Sequence, residues 1–125
     1  MKKITPNYKL ENKGHYSPGI ISNGNLYISG QLSIDPDTRK VAEGDISVHA
    51  NMALSNLERV LEEANLTKEN VVLCRVYLTD ISHWDEFNII YSSFFGNHKP
   101  ARAVVPVSEL HYGCLVEIEA IAEIN

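Results

Sequence analysis

The sequence predicts one α+β domain over residues 1–125, a mixed sheet with two helices packed on one face. Three observations carry this expectation. A length of 125 residues suits a single hydrophobic core. Residues 46–64 and 84–95 repeat apolar side chains at helical spacing, while the other apolar runs are short, β-branched and bounded by turn residues. The last run alternates, with Val116, Ile118, Ala120, Ala122 and Ile124 on one face and Leu115, Glu117, Glu119, Ile121 and Glu123 on the other. The first face suits a helix-packed core. The second carries three carboxylates, two of them adjacent, which repel one another unless solvated or paired.

Taken in order, Gly19-Ile20-Ile21 passes through Ser22-Asn23-Gly24-Asn25 into Leu26-Tyr27-Ile28-Ser29-Gly30, a hairpin whose Asn-Gly supplies the positive φ angles of a tight turn. A second turn follows at Asp35-Pro36-Asp37-Thr38. In residues 46–64, Ala50, Ala53, Leu54, Leu57, Leu61 and Ala64 make one apolar stripe, opposite Asn51, Ser55, Glu58, Arg59, Glu62 and Glu63, and Asn65 suits a left-handed stop. Residues 71–78 are β-branched and aromatic and read as a strand. On it Arg75 is expected on the face opposite Val72, Cys74 and Val76, close to Glu119 or Glu123, because an unpaired buried charge is very costly. Ser82, with Asp85 three residues on, resembles a capping-box start to the second helix, which carries Trp84, Phe87, Tyr91, Phe94 and Phe95 and stops at Gly96. Residues 103–107 look extended, and Pro106 puts them at a sheet edge or interruption. The order reads as β-β-α-β-β-α-β in type. Two helices cannot cover both faces of this sheet, so the second face meets water or another subunit.

Apolar residues make up 44% and charged residues 22% of the chain, ordinary globular values that argue against disorder. The net charge of -5 disfavours a nucleic-acid partner, since the basic clusters are only the pairs Lys2-Lys3 and Arg39-Lys40. No apolar run reaches membrane-spanning length and no apolar stretch follows Lys2-Lys3, so a cytoplasmic protein is expected. Cys74 and Cys114 lie among apolar residues and are expected as buried free thiols.

Generic motifs are absent. None of His15, His49, His83, His98 and His111 has metal-ligand spacing, and neither cysteine sits in a C-x-x-C pair, so no metal site is expected. There is no Gly-rich phosphate loop and no G-x-S-x-G elbow. What remains is a set of polar residues punctuating apolar stretches. Arg102, at the mouth of an apolar strand, is either a surface or ion-paired arginine or a guanidinium fork for a ligand carboxylate. Glu117 and Glu119 are either a solvated face or contain a carboxylate that positions water. Ser29-Gly30-Gln31 is either a plain strand end or a glycine that lets a ligand approach the backbone. Tyr16 is either a turn aromatic or a pocket wall.

Several segments together resemble the RidA (YjgF-type) family of small trimeric enamine/imine deaminases along nearly the whole chain. Gly14-His15-Tyr16-Ser17-Pro18 is similar to the family's G-P-Y-S-Q, Asn25 to Gln31 to its strand into S-G-Q, and Asp35-Pro36-Asp37-Thr38 to its D-P-x-T turn. Gly44-Asp45-Ile46 resembles its G-D-I, Phe87-Asn88-Ile89-Ile90-Tyr91 with Phe94-Phe95 its V-N-x-x-Y-x-x-F-F helix, Pro100-Ala101-Arg102 its P-A-R, and residues 116–122 its V-E-I-E-A-I-A. The resemblance implies a chorismate-mutase-like fold, a homotrimer with active sites between subunits, and hydrolysis of 2-aminoacrylate and other 2-imino acids to 2-keto acids and ammonia without a cofactor. It implies that Arg102 clamps the substrate carboxylate with the backbone N–H of Gly30, and that Glu117 holds the attacking water. Tyr16, Ser29, Asn88 and Val104 line the pocket by the same resemblance. Departures stand at His15, at Ala103-Val104 where the family often has Ser-Cys, and at Leu110-His111-Tyr112-Gly113, and they bear on substrate preference. A non-catalytic ligand-sensing or interaction trimer on the same scaffold is the alternative. A ribonuclease or translation inhibitor, a role attached to relatives, is disfavoured by the acidic charge.

Overall fold

Asn23 and Gly24 adopt φ of 50° and 78°, the double positive-φ turn that their residue types favour. They join β2 (Gly19–Ser22) to β3 (Asn25–Leu32) in the computed structural model, which describes all of residues 1–125. Ahead of them β1 (Lys2–Ile4), unmarked by any sequence pattern, pairs with β2 at one edge of the sheet. The remaining elements are α1 (Ile46–Glu63), β4 (Val71–Leu78), α2 (Trp84–Phe95), β5 (Ala101–Pro106) and β6 (Val116–Glu123). The six strands lie in the order β1-β2-β3-β6-β4-β5. Only β4 and β5 are parallel, and α2 makes the crossover between them. The observed order is therefore β-β-β-α-β-α-β-β, not β-β-α-β-β-α-β: one strand, β4, occupies the whole segment between the helices, and two strands follow α2. β5 is the other edge, where Pro106 ends the strand without a missing ladder bond. No helix is long and apolar enough to cross a membrane.

Helix α1 starts where the Asp45 carboxylate accepts from the N–H groups of Ser47 and Val48 at 3.0 and 3.3 Å. It ends in a Schellman motif: Asn65 turns to φ 59°, its N–H reaches the Glu62 carbonyl, and the Leu66 N–H reaches the Leu61 carbonyl. The second helix departs from expectation at its start. Asp80, not Ser82, is the capping side chain; it accepts from the Ser82 N–H and closes a 3-10 turn at Ile81–His83 that feeds α2. Gly96 stops α2 at φ 63°.

Both helices pack on one face of the sheet. Leu54, Leu57, Val60 and Leu61 of α1 and Phe87, Tyr91 and Phe95 of α2 meet Leu26, Ile28, Cys74, Val76, Val116, Ile118, Ala120 and Ala122 from the strands. Each fully buried leucine or phenylalanine contributes about 1.5–3 kcal/mol by its removal from water. Two buried polar side chains of α1 sit inside this layer. Asn56 donates to the Leu32 and Ile34 carbonyls at 3.0 and 2.7 Å, and the His49 Nδ1 accepts the Leu115 N–H at 3.3 Å with the Ser33 Oγ 2.6 Å away. They tie the irregular ends of β3 and β6 to the helix, where no ladder bond serves them. Cys74 and Cys114 are buried and free.

The opposite sheet face carries no helix. Register places Glu119 beside Arg75, Glu117 beside Tyr77, and Tyr27 beside Ile121 on that face. Arg75 meets Glu119 at 3.8 Å, the partner expected of it, and the Tyr77 hydroxyl donates to the same carboxylate. One strand assignment is corrected here. Val72 does not share the buried face of Cys74 and Val76; a register shift between Val71 and Leu73 makes it the extra residue of a bulge, 42% exposed, and Val71 takes the core position.

Candidate active site

Arg102 lies on the edge strand β5 in register with Cys74, whose side chain is buried under α2, so Arg102 points to the helix face. There Trp84, Asn88 and Tyr91 share one face of α2 at spacings of four and three residues. Arg102 Nη1 donates to Asn88 Oδ1 at 2.9 Å, and its guanidinium lies 5.4 Å from the Trp84 ring centre and 4.8 Å from that of Tyr91. The two rings and one amide hold the guanidinium by cation–π attraction and a hydrogen bond, leaving its charge without a counter-ion. The chain's two ion pairs are Arg59–Asp37 and Arg75–Glu119, and Arg102 belongs to neither. Val104, two residues on and on the same face, packs against the core beside Val76.

Glu117 lies on the other face. Its register partner in β4 is Tyr77 and in β3 Leu32, and a Cβ built on Gly30 would stand 2.7 Å from the Glu117 Oε2. Gly30 is thus the residue whose missing side chain gives the carboxylate its place. The shift in register between Ile28 and Gln31 brings it there. Ser29 is turned away and binds the preceding segment: its Oγ donates to the Ser17 carbonyl at 2.6 Å and its N–H to the Pro18 carbonyl at 2.9 Å. Tyr16 adjoins that docking point and is 57% exposed. Partial burial, reinforced by Glu119, pushes the Glu117 carboxyl above the usual carboxylate range, with His111 opposing.

The seven residues singled out from sequence therefore form two half-sites. Arg102, Asn88 and Val104 belong to the helix face at the β5 edge; Glu117, Gly30, Ser29 and Tyr16 belong to the open face and the β2–β3 end. One chain does not bring Arg102 and Glu117 together. Sequence reasoning missed Trp84 and Tyr91 as the clamp on Arg102, although their spacing around Asn88 was visible. It also missed the Ser33–His49 pair. That pair has the make-up of a nucleophile and base, but both residues are buried within the core, and Nδ1 is occupied by the Leu115 N–H. It is a structural bond. No three His, Cys, Asp or Glu side chains converge as metal ligands.

A protein-family model described as Endoribonuclease L-PSP matches residues 7–124. The human 2-iminobutanoate/2-iminopropanoate deaminase is 37% identical over 109 residues, covering 87% of this chain and 80% of the human one. This chain belongs to the RidA family. The structure of RidA from an Antarctic Psychrobacter superposes with a TM-score of 0.92 at 33% identity, covering 99% of this chain and all of that one. Escherichia coli TdcF, solved with bound serine, superposes with a TM-score of 0.92 at 27% identity over the full length of both. Both superpose over nearly the whole chain and therefore share its overall fold.

Proposed function

We propose that this chain is a hydrolytic deaminase that converts 2-imino acids, and the enamines that tautomerise to them, into 2-keto acids and ammonia. The observation that carries the reading is Arg102: a guanidinium with no carboxylate partner in its own chain, pre-oriented by Asn88 between two aromatic faces. Such a fork suits a planar carboxylate. The human relative's name and the serine held by the Escherichia coli relative support an amino-acid-like ligand.

The two half-sites become one site if Arg102 of one subunit faces Glu117 of a neighbour in a homotrimer. In that arrangement Arg102 and the Gly30 N–H hold the substrate carboxylate. Glu117 takes a proton from water as the water oxygen bonds to the imine carbon. In the resulting amino alcohol Glu117 returns its proton to the nitrogen, the C–N bond breaks, ammonia leaves, and the hydroxyl proton passes to Glu117 as the C=O bond forms. A protonated imine is already electrophilic, so orientation and one activated water suffice, without a cofactor. Tyr16, Asn88 and Val104 shape the walls, and Ser29 fastens the segment that carries Tyr16. The test is a coupled assay: added to a threonine or serine dehydratase reaction, the protein should accelerate release of 2-keto acid and ammonia. Rates equal to the protein-free control would sink the reading and favour a ligand-sensing trimer.

A further inference from the structure

Residues 5–18, between β1 and β2, form no strand or helix. Polar contacts fasten them at three points. Arg59 of α1 donates to the Asn7 carbonyl at 3.0 Å, lies 4.8 Å from the Tyr8 ring centre, and grips both oxygens of Asp37 at 3.0 and 3.3 Å. Asp37 in turn accepts the Lys9 N–H at 2.9 Å. Arg39 donates to the Glu11 carbonyl, and Ser29 holds the Ser17 carbonyl as described. Pro6 and Pro18 are buried, but between them the segment has little apolar cover: an open cleft of about 300 Å³ runs along it, lined by Tyr8, Leu10, Tyr16 and Pro18 among others. Tyr16 folds back over Gly14, where even a Cβ would lie 2.4 Å from its ring, so the ring's place depends on the path of this segment.

We infer that Arg59 is a positioning residue: with Asp37 and Tyr8 it fixes the course of the segment that presents Tyr16 to the candidate site. The inference rests on the deaminase reading for Tyr16's role. Arg59 itself touches no reacting atom. Its fork makes contacts that a lysine cannot reproduce together, and the hydrogen-bonded contacts to Lys9 and Arg59 hold the Asp37 carboxyl below the usual range.

Two independent readouts test this. Lys9 and Lys13 are exposed on the segment and offer trypsin sites. In Arg59→Ala, cleavage after Lys9 and Lys13, followed by mass spectrometry, should run about tenfold faster than in the unaltered protein, as expected when a charged hydrogen-bonded hold is lost. In the imine-hydrolysis assay KM should rise about threefold to tenfold with kcat nearly unchanged, the pattern of lost ground-state positioning. Arg59→Lys should fall between. Arg59→Ala combined with Tyr16→Ala should be no worse in KM than Tyr16→Ala alone, because Arg59 acts through Tyr16. Unchanged cleavage rates overturn the hold. Faster cleavage with unchanged KM, or additive effects of the two substitutions, overturns the positioning role. If the unaltered protein hydrolyses no imine, the deaminase reading fails, and the cleavage rates alone then decide whether Arg59 fastens the segment.

Discussion

Arg102 illustrates what a single side chain discloses. Its identity and its place before an apolar strand were readable in the chain. Its clamp was not, because only the α2 crossover lays Trp84 and Tyr91 over β5. Replacing Arg102 by alanine should lower imine hydrolysis on the order of 30- to 1000-fold, the cost of losing a charged hydrogen-bonded partner for substrate. Lysine should restore little. An arginine with a purely structural task would instead lower the melting temperature and spare the rate, so both are measured on the same preparations. Glu117 offers a second test. Its carboxyl is held above the ordinary value of 4.5, so the folded chain binds that proton more tightly than the unfolded chain. Stability therefore falls as pH rises through the interval above 4.5, and ionised Glu117 is a net cost at neutral pH. Glu117→Gln should raise the melting temperature at pH 7, lose that advantage below pH 4.5, and turn over poorly throughout. A lower melting temperature at pH 7 would contradict this account. Gly30→Ala should reach the same carboxylate from the other side, displacing it and reducing turnover with little effect on folding.

Whole helices and the longest strands were visible in the pattern of apolar residues, and their ends less so. Asn65 marked the end of α1 because its left-handed turn is a local matter. Strict alternation puts Val72 on the face of Cys74 and Val76, and one extra residue breaks that alternation without changing composition. The start of α2 differs from the sequence expectation for a related reason: Asp80 caps a 3-10 turn that no apolar period records. His49 and Asn56 lie on the buried stripe of α1, yet their partners are backbone groups far along the chain. His49 carries a pH consequence. Burial is the larger influence and lowers its pKa below 6.5, against the opposing pull of Asp45. Its contribution is present above pH 6.5 and is lost as the pH falls, since the unfolded chain takes up the proton first. Urea midpoints should drop between pH 7.5 and 5.5. His49→Gln should flatten part of that slope while destabilising the fold by about 1–3 kcal/mol at pH 7.5, because the Leu115 N–H loses a well-placed acceptor. A slope identical to that of the unaltered protein would assign the pH effect elsewhere.

The molecule as a whole has one sheet face that its own helices leave uncovered, a deficit countable from two helices and a long alternating strand. What covers that face is not written in one chain's pattern, because complementarity between copies depends on shape. A homotrimer is expected in sedimentation at micromolar concentration, and Val105→Asp, on the open face of the edge strand, should shift it toward monomer and abolish hydrolysis with Arg102 and Glu117 both intact. A monomeric but fully active variant would refute shared sites. The opposed orientation of Arg102 and Glu117 also has a genetic consequence. On the proposed shared site, a chain lacking only Arg102 and a chain lacking only Glu117 should each be inactive alone, but co-expressed they should complement one another. In a ring of three, every mixed assembly contains one junction where an intact arginine meets an intact glutamate, so random mixing should return about a quarter of normal activity. Two dead alleles would then make a living enzyme, and a cell carrying both would score as wild type in any selection that a quarter of the activity satisfies.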